Sequence, residues 1–175
     1  LLRPTKGKIY IDDNALSESG NVFGWQSRVA HVPQVIFLSD CSISENIAFG
    51  AHPNDIDHDY VRECAKIAQI SSTIDGLPDG YETMVGERGV RLSGGQRQRI
   101  GIARALYKRA DIIIFDEATN ALDTATENEV MEALENLPGN ITVIMVAHRL
   151  STLKNCSKVI DLSGSFESLS EASSL

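Results

Sequence analysis

Short apolar runs alternate along this chain with longer stretches whose apolar positions recur every three or four residues. The first pattern marks strands and the second helices. Residues 8–12 alternate as a strand, and Asp12-Asp13-Asn14 is a turn signal at its end. Residues 21–27 fit neither rhythm cleanly, although Trp25 suits a short packed helix. Residues 28–32 read as a buried strand ended by Pro33 and Gln34, with His31 packed inside it. Ser42-x-x-Glu45 is a capping box that opens a short helix, and Gly50 can close it. Residues 53–57 start a longer helix whose face of Tyr60 or Val61, Cys64, Ile67 and Ala68 has helical spacing. Gly76, Pro78 and Gly80 punctuate a loop, and residues 84–90 form an irregular charged one.

The alternation then resumes. Residues 96–108 suit a helix with Ile100, Ala103 and Leu106 on one side. Residues 112–115 form a short apolar strand. Thr124-x-x-Glu127 is a second capping box, opening a helix with Val130, Met131, Leu134 and Leu137 inward. Pro138-Gly139 stops it, and residues 141–147 and 159–162 read as two further strands. Strands apolar on both faces, separated by helices, predict an α/β fold with a mostly parallel sheet flanked by helices. Residues 163–175 hold six serines with little periodicity and are expected to be poorly ordered.

Composition narrows the function classes. The formal net charge of −8 argues against nucleic acid as the main partner, because binding a phosphate backbone needs clustered Lys and Arg. Arg97, Arg99, Arg104, Lys108 and Arg109 do crowd one helix, but read as a solvated face, with the last two complementing its C-terminus. Cys41, Cys64 and Cys156 are scattered and form no C-x-x-C pair, which fits reduced thiols in a cytosolic protein. His52 and His58, beside Asp55, Asp57 and Asp59, read as an acidic helix start before a metal site. No apolar run approaches the roughly 20 residues of a membrane helix. The chain opens on Leu1-Leu2-Arg3-Pro4 without an initiator Met, and reads as a piece of a longer protein.

Three strands end in polar groups: Gln34, then Asp116 with Glu117, then His148. Ligands of open parallel sheets sit at the carboxyl ends of strands, so these groups are expected to converge. An aspartate after an apolar strand can hold Mg²⁺. The next carboxylate can orient or deprotonate a water. Glutamine can ligate the metal or place that water, and histidine can donate to charge developing on a phosphate. A second constellation is Leu92-Ser93-Gly94-Gly95-Gln96. Ser93-x-x-Gln96 is a capping box, two glycines allow close backbone approach, and a helix N-terminus favours an anion. A plain capped turn is the competing reading of that loop.

Taken together, these motifs resemble the nucleotide-binding domain of ABC transporters. Leu92–Gln96 matches that family's signature loop, and the run Arg97 to Ala105 its continuation. Ile112 to Thr119 resembles the Walker B strand, Ala121-Leu122-Asp123 the D-loop, His148 the switch histidine and Val32-Pro33-Gln34 the Q-loop. Glu45 to Gly50 and Val85-Gly86-Glu87-Arg88-Gly89 are similar to exporter-type segments, the latter to the X-loop. Asn120 stands where serine is usual, and the tail after Leu162 does not match the family's ending.

The resemblance implies a P-loop NTPase-like (RecA-like) core over 1–40 and 106–162, an inserted helical subdomain over 41–105, and a Ser-rich tail over 163–175. It implies ATP and Mg²⁺ as cofactors, Asp116 and Gln34 at the metal, and Glu117, His148 and Gln34 in catalysis. Ser93, Gly94, Gly95 and Gln96 would face the ATP of a second nucleotide-binding domain, with Asp123 coupling the two sites. Val85–Gly89 and the Gln34 region would meet a transmembrane domain, placing the chain on the cytoplasmic face of a membrane. The family's Walker A loop would lie before Leu1, so the 175 residues alone are expected to bind ATP weakly and not turn it over. A soluble ABC ATPase acting on DNA or ribosomes, or an inactive fragment, are the competing readings.

Overall fold

The computed structural model describes residues 6–11, 14–16, 21–87, 89–116, 124–146 and 156–160. Near the start, β1 (Tyr10–Ile11) and β2 (Asn14–Ala15) form a small antiparallel pair. Helix α1 (Asn21–Ser27) leads into β3 (Val29–Val32), so the ambiguous stretch around Trp25 is helical. The chain then runs through α2 (Ile43–Ile47), α3 (His58–Ile67), α4 (Ser71–Asp75) and α5 (Gly94–Tyr107). It returns to the sheet as β4 (Ile112–Asp116), and continues through α6 (Thr124–Glu135) and β5 (Thr142–Val146). The order β3-β4-β5 is parallel throughout, with Val32 opposite Phe115 and Asp116 opposite Val146. This is the parallel sheet flanked by helices that the alternating pattern predicts.

Local chemistry sets the helix starts. Ser42 Oγ accepts from the Glu45 amide at 3.2 Å, and Glu45 Oε2 accepts from the Ser42 amide at 2.8 Å. Four backbone donors open every helix without partners, and this reciprocal pair satisfies two of them. Gly50 follows α2 at φ +93°, a left-handed conformation that glycine adopts without strain. The expected helix after Pro53 splits in two. A single 3₁₀ turn, Pro53–Asp55, precedes α3, which Asp57 caps by accepting from the Tyr60 amide at 3.0 Å. His52 caps the 3₁₀ turn through Nδ1, accepting from the Asn54 amide at 3.3 Å.

The core joins both halves. Val61, Cys64, Ala65 and Ala68 of α3 and its cap are fully buried beside Ile100, Ile102 and Ala103 of α5. Helix α5 lies on the sheet face that carries Val32. A β-carbon added to Gly101 would stand 2.6 Å from Ile36 Cδ1 and 3.5 Å from Val32 Cγ1. The absence of a side chain there lets the helix backbone approach β3. On the opposite face, Ile144 and Val146 of β5 are about half exposed.

Four expectations need correction. The apolar run 141–147, expected as a buried strand, is largely exposed: within β5 only Met145 is partly buried. His31 is not packed: it points to that exposed face, with 53% of its side chain accessible. Val159 and Ile160 form no strand, and Ile160 is 65% exposed; residues 161–162 lie outside the described residues. The basic face of α5 is solvated only in part: Arg97, Lys108 and Arg109 are exposed, whereas Arg99 and Arg104 are half-buried against protein partners. Arg99 has 11% of its side chain accessible, donates to Gln69 O at 3.1 Å and pairs with Glu129 at 3.0 Å. Lys108 Nζ donates to Val29 O at 2.6 Å and to Gln26 O at 3.1 Å. Backbone carbonyls and one carboxylate thus take up part of the charge that the sequence alone assigns to water. The tail 163–175 lies outside the described residues.

All three cysteines are free thiols. Burial pushes the Cys64 thiol up to about 11, because its thiolate would lose hydration among apolar neighbours. In the folded protein Cys64 is therefore expected to resist a thiol reagent at pH 8 and to react only on unfolding. Labelling of Cys64 at the rate of a free thiol, tracked by peptide mapping, would contradict this burial.

Candidate functional site

The site is built where β3, β4 and β5 end. Their register is continuous, so the strand ends at Val32, Asp116 and Val146 lie at one edge of the sheet. Parallel strands flanked by helices leave that edge open, which is where ligands of such sheets bind. Asp116 is the last residue of β4 and 54% of its side chain is accessible. Among the described residues, His31 Nε2 lies 3.8 Å from Asp116 Oδ2. An exposed carboxylate at a strand end offers the hard oxygen that Mg²⁺ takes. Gln34 follows β3 by two residues and is exposed, so its amide is free to reach the same edge. The strand-end turn before it is held from behind: the buried Gln98 donates from Nε2 to Pro33 O at 3.5 Å. Glu117, Asp123 and His148 lie outside the described residues.

The second half of the site is the start of α5. Ser93 is the N-cap; its Oγ accepts from the Gln96 amide at 3.2 Å, and Gln96 Oε1 accepts from the Ser93 amide at 2.8 Å. The predicted capping box is present, although the helix begins at Gly94, two residues earlier than the apolar pattern suggests. Ser93 and Gly94 are exposed, whereas Gly95 is buried. Any β-carbon at Gly95 would collide with the Thr126 Cγ2 methyl of α6. The two glycines therefore differ: Gly94 leaves backbone open to the outside, and Gly95 lets α5 and α6 touch.

Direction matters as much as chemistry. The C-terminal end of α5 sits at the start of β3, through Lys108 bonded to Val29 O, and Gln98 is level with Pro33. The helix thus runs antiparallel to the strands. At 1.5 Å per residue, Ser93 projects roughly 7 Å past Pro33, beyond the carboxyl edge of the sheet. Its free N–H groups and positive dipole end point outward, away from the groups on the same chain's strands.

A third region is the loop around Glu87. Val85 is buried, and its amide donates to Cys41 O at 3.0 Å. Gly86 has φ +101°, and a β-carbon there would collide with Asp40. Asp40 Oδ1 accepts from the Glu87 amide at 2.6 Å. The Glu87 loop is consequently pinned to the segment that follows Gln34. Sequence reasoning overlooked Asp40, because its partner lies 47 residues away.

Comparison with known proteins now bears on this arrangement. The ABC transporter family model matches residues 1–120. The chain belongs to the ABC transporter family. Among curated relatives, this ABC transporter chain is 42% identical over 160 residues to an ATP-dependent lipid A-core flippase of Ralstonia nicotianae. That match covers 91% of the chain and 27% of the flippase. It is 46% identical over 149 residues to multidrug resistance protein pgp-1 of Caenorhabditis elegans, covering 85% of the chain and 11% of that protein. Among solved structures, a bacterial Atm1-family ABC exporter with ATP bound superposes with a TM-score of 0.75 at 39% identity. That superposition covers 89% of the chain and 27% of the exporter. The chain thus spans about a quarter of the flippase and the exporter. No helix among the described residues is long and apolar enough to cross a membrane.

Proposed function

We propose that this ABC transporter chain is the ATP-binding and ATP-hydrolysing part of an exporter, working on the cytoplasmic face of a membrane. One observation carries the reading: an open edge of parallel strands bearing Asp116 and Gln34 accompanies a capped helix start, Ser93–Gly94, that faces away from it. A chain with two half-sites pointing apart completes a site by meeting a second such domain, head to tail. The ATP-dependent relatives and the ATP-bound exporter favour this reading over a soluble ATPase acting on DNA or ribosomes.

In this proposal the core comprises 1–40 and 106–162, and 41–105 is the helical subdomain. ATP sits on the strand edge of one domain. Asp116 and Gln34 hold Mg²⁺, which when bound neutralises charge on the phosphates. Glu117 accepts a proton from, or orients, the attacking water. His148 donates a hydrogen bond to charge developing on the γ-phosphate. Ser93, Gly94 and the Gln96-capped turn of the second domain offer N–H groups to the same phosphate, with Gly95 fixing the helix that carries them. Asp123 passes the state of one site to the other. Val85–Gly89 and the Gln34 region meet the transmembrane domain.

The direct test is steady-state ATP hydrolysis by the full-length protein that carries this chain, purified in lipid nanodiscs. Mg²⁺-dependent phosphate release is expected. ATP turnover that is absent, or indifferent to chelation of Mg²⁺, would overturn the proposal.

A further inference from the structure

Arg104 lies three turns along α5 from Ser93, one turn beyond Gly101. Its guanidinium hydrogen-bonds to a distant segment. Nε donates to Asn46 O at 2.9 Å, and both terminal nitrogens donate to Phe37 O at 3.1 Å. Nη2 also reaches Asn46 Oδ1 at 3.3 Å. The guanidinium lies 4.7 Å from the centre of the Phe49 ring. A flat, forked donor is what this geometry uses, and an ammonium offers no equivalent.

Asn46 carries the connection onward. It is fully buried. Its Nδ2 donates to Ser39 O and Ser42 O, both at 3.0 Å, and its Oδ1 accepts from the Ser39 amide at 2.9 Å. The strip so fixed then bonds to the Glu87 loop: Ile43 N donates to Thr83 O, Val85 N to Cys41 O and Glu87 N to Asp40 Oδ1. Outside this polar seam, Phe37 and Phe49 are 70% and 57% exposed. Hydrogen bonds therefore run unbroken from the helix that Ser93 opens to the loop at Glu87.

We propose that Arg104 is a positioning residue for ATP turnover, fastening the 37–49 strip and the Glu87 loop to the helix whose N-terminus presents Ser93. The inference rests on the ATPase reading above. Displacement of the strip by whatever docks on it is carried to Ser93 because buried amides and a guanidinium give the joint no slack. Gln34 and Asp116, the proposed Mg²⁺ ligands of the same chain, are not among the residues bonded in this seam. Loosening the joint thus slows turnover without weakening the domain's own hold on ATP.

The test uses the full-length protein in nanodiscs, with kcat normalised to the stoichiometry of bound ATP so that only folded protein is counted. Arg104→Lys is expected to lower kcat roughly tenfold, the scale of coupling changes along packed networks, with KM for MgATP kept within about twofold. Unchanged kcat, or kcat and KM shifting together, overturns the proposal. Hydrogen exchange on the unmodified protein gives a measurement independent of variant folding. Saturation with MgATP is expected to change protection at Ser39 and Val85 together with Gln96 and Arg97. A response at Gln96 and Arg97 alone overturns it. Glu117→Gln separates the two ideas. If it loses turnover while Arg104→Lys keeps it, only the Arg104 proposal fails; if both keep it, both fail.

Discussion

Glu117→Gln in the full-length protein is expected to remove ATP turnover by roughly 10²- to 10⁴-fold, the usual worth of a positioned general base, while leaving MgATP bound. The residue follows Asp116, which ends β4 with an accessible carboxylate at the open strand edge. Glutamine keeps the size and a hydrogen-bonding oxygen but cannot accept the proton of water. Binding rests on other groups, so ATP should accumulate on the variant. Asp116→Asn should behave differently: it removes charge from the proposed metal ligand, so Mg²⁺-dependent nucleotide affinity falls along with turnover. Phosphate release and filter-retained radiolabelled ATP, measured side by side, distinguish the two. Wild-type turnover in Glu117→Gln would refute its catalytic role.

How far the fold was legible follows from the range of each interaction. Two of the three capping boxes, at Ser42 and at Ser93, form as read between residues three apart, and the third rests on Thr124, whose side chain lies outside those described. Parallel pairing of the Ile112 and Thr142 strands was legible because fully apolar runs separated by a helix have few other arrangements. The expectation that Gln34 and Asp116 share one strand edge came from the same logic. The missed features depend on remote partners. Arg104 meets carbonyls 58 and 67 residues away, so composition could only place it in water. His31 alternates with buried Ala30 and Val32, and the strand pattern did not say which face is covered. Within the signature loop, close backbone approach was the one purpose read for both glycines, whereas the packing separates the exposed Gly94 from the buried Gly95.

That division makes Gly95→Ala the sharpest structural test of the site. The added methyl would collide with Thr126 Cγ2, and α5 carries fully buried Ile100, Ile102 and Ala103, so the helix has little room to retreat. Forcing one extra carbon into packing of this kind costs about 1–3 kcal/mol. Alanine's better helix propensity returns less than about 1 kcal/mol, so the net sign is destabilising. The displacement falls one residue from Gly94, at the helix start that would face the second domain's ATP. Turnover should therefore drop beyond what the loss of folded protein explains. Thr126→Ser deletes only the colliding methyl and keeps the hydroxyl, so Gly95→Ala/Thr126→Ser should recover most of both losses. The double-mutant cycle would be read by thermal melting and by ATP turnover. A Gly95→Ala protein as stable as the parent, or a double variant no better than the single, would show that α5 and α6 do not meet through this glycine.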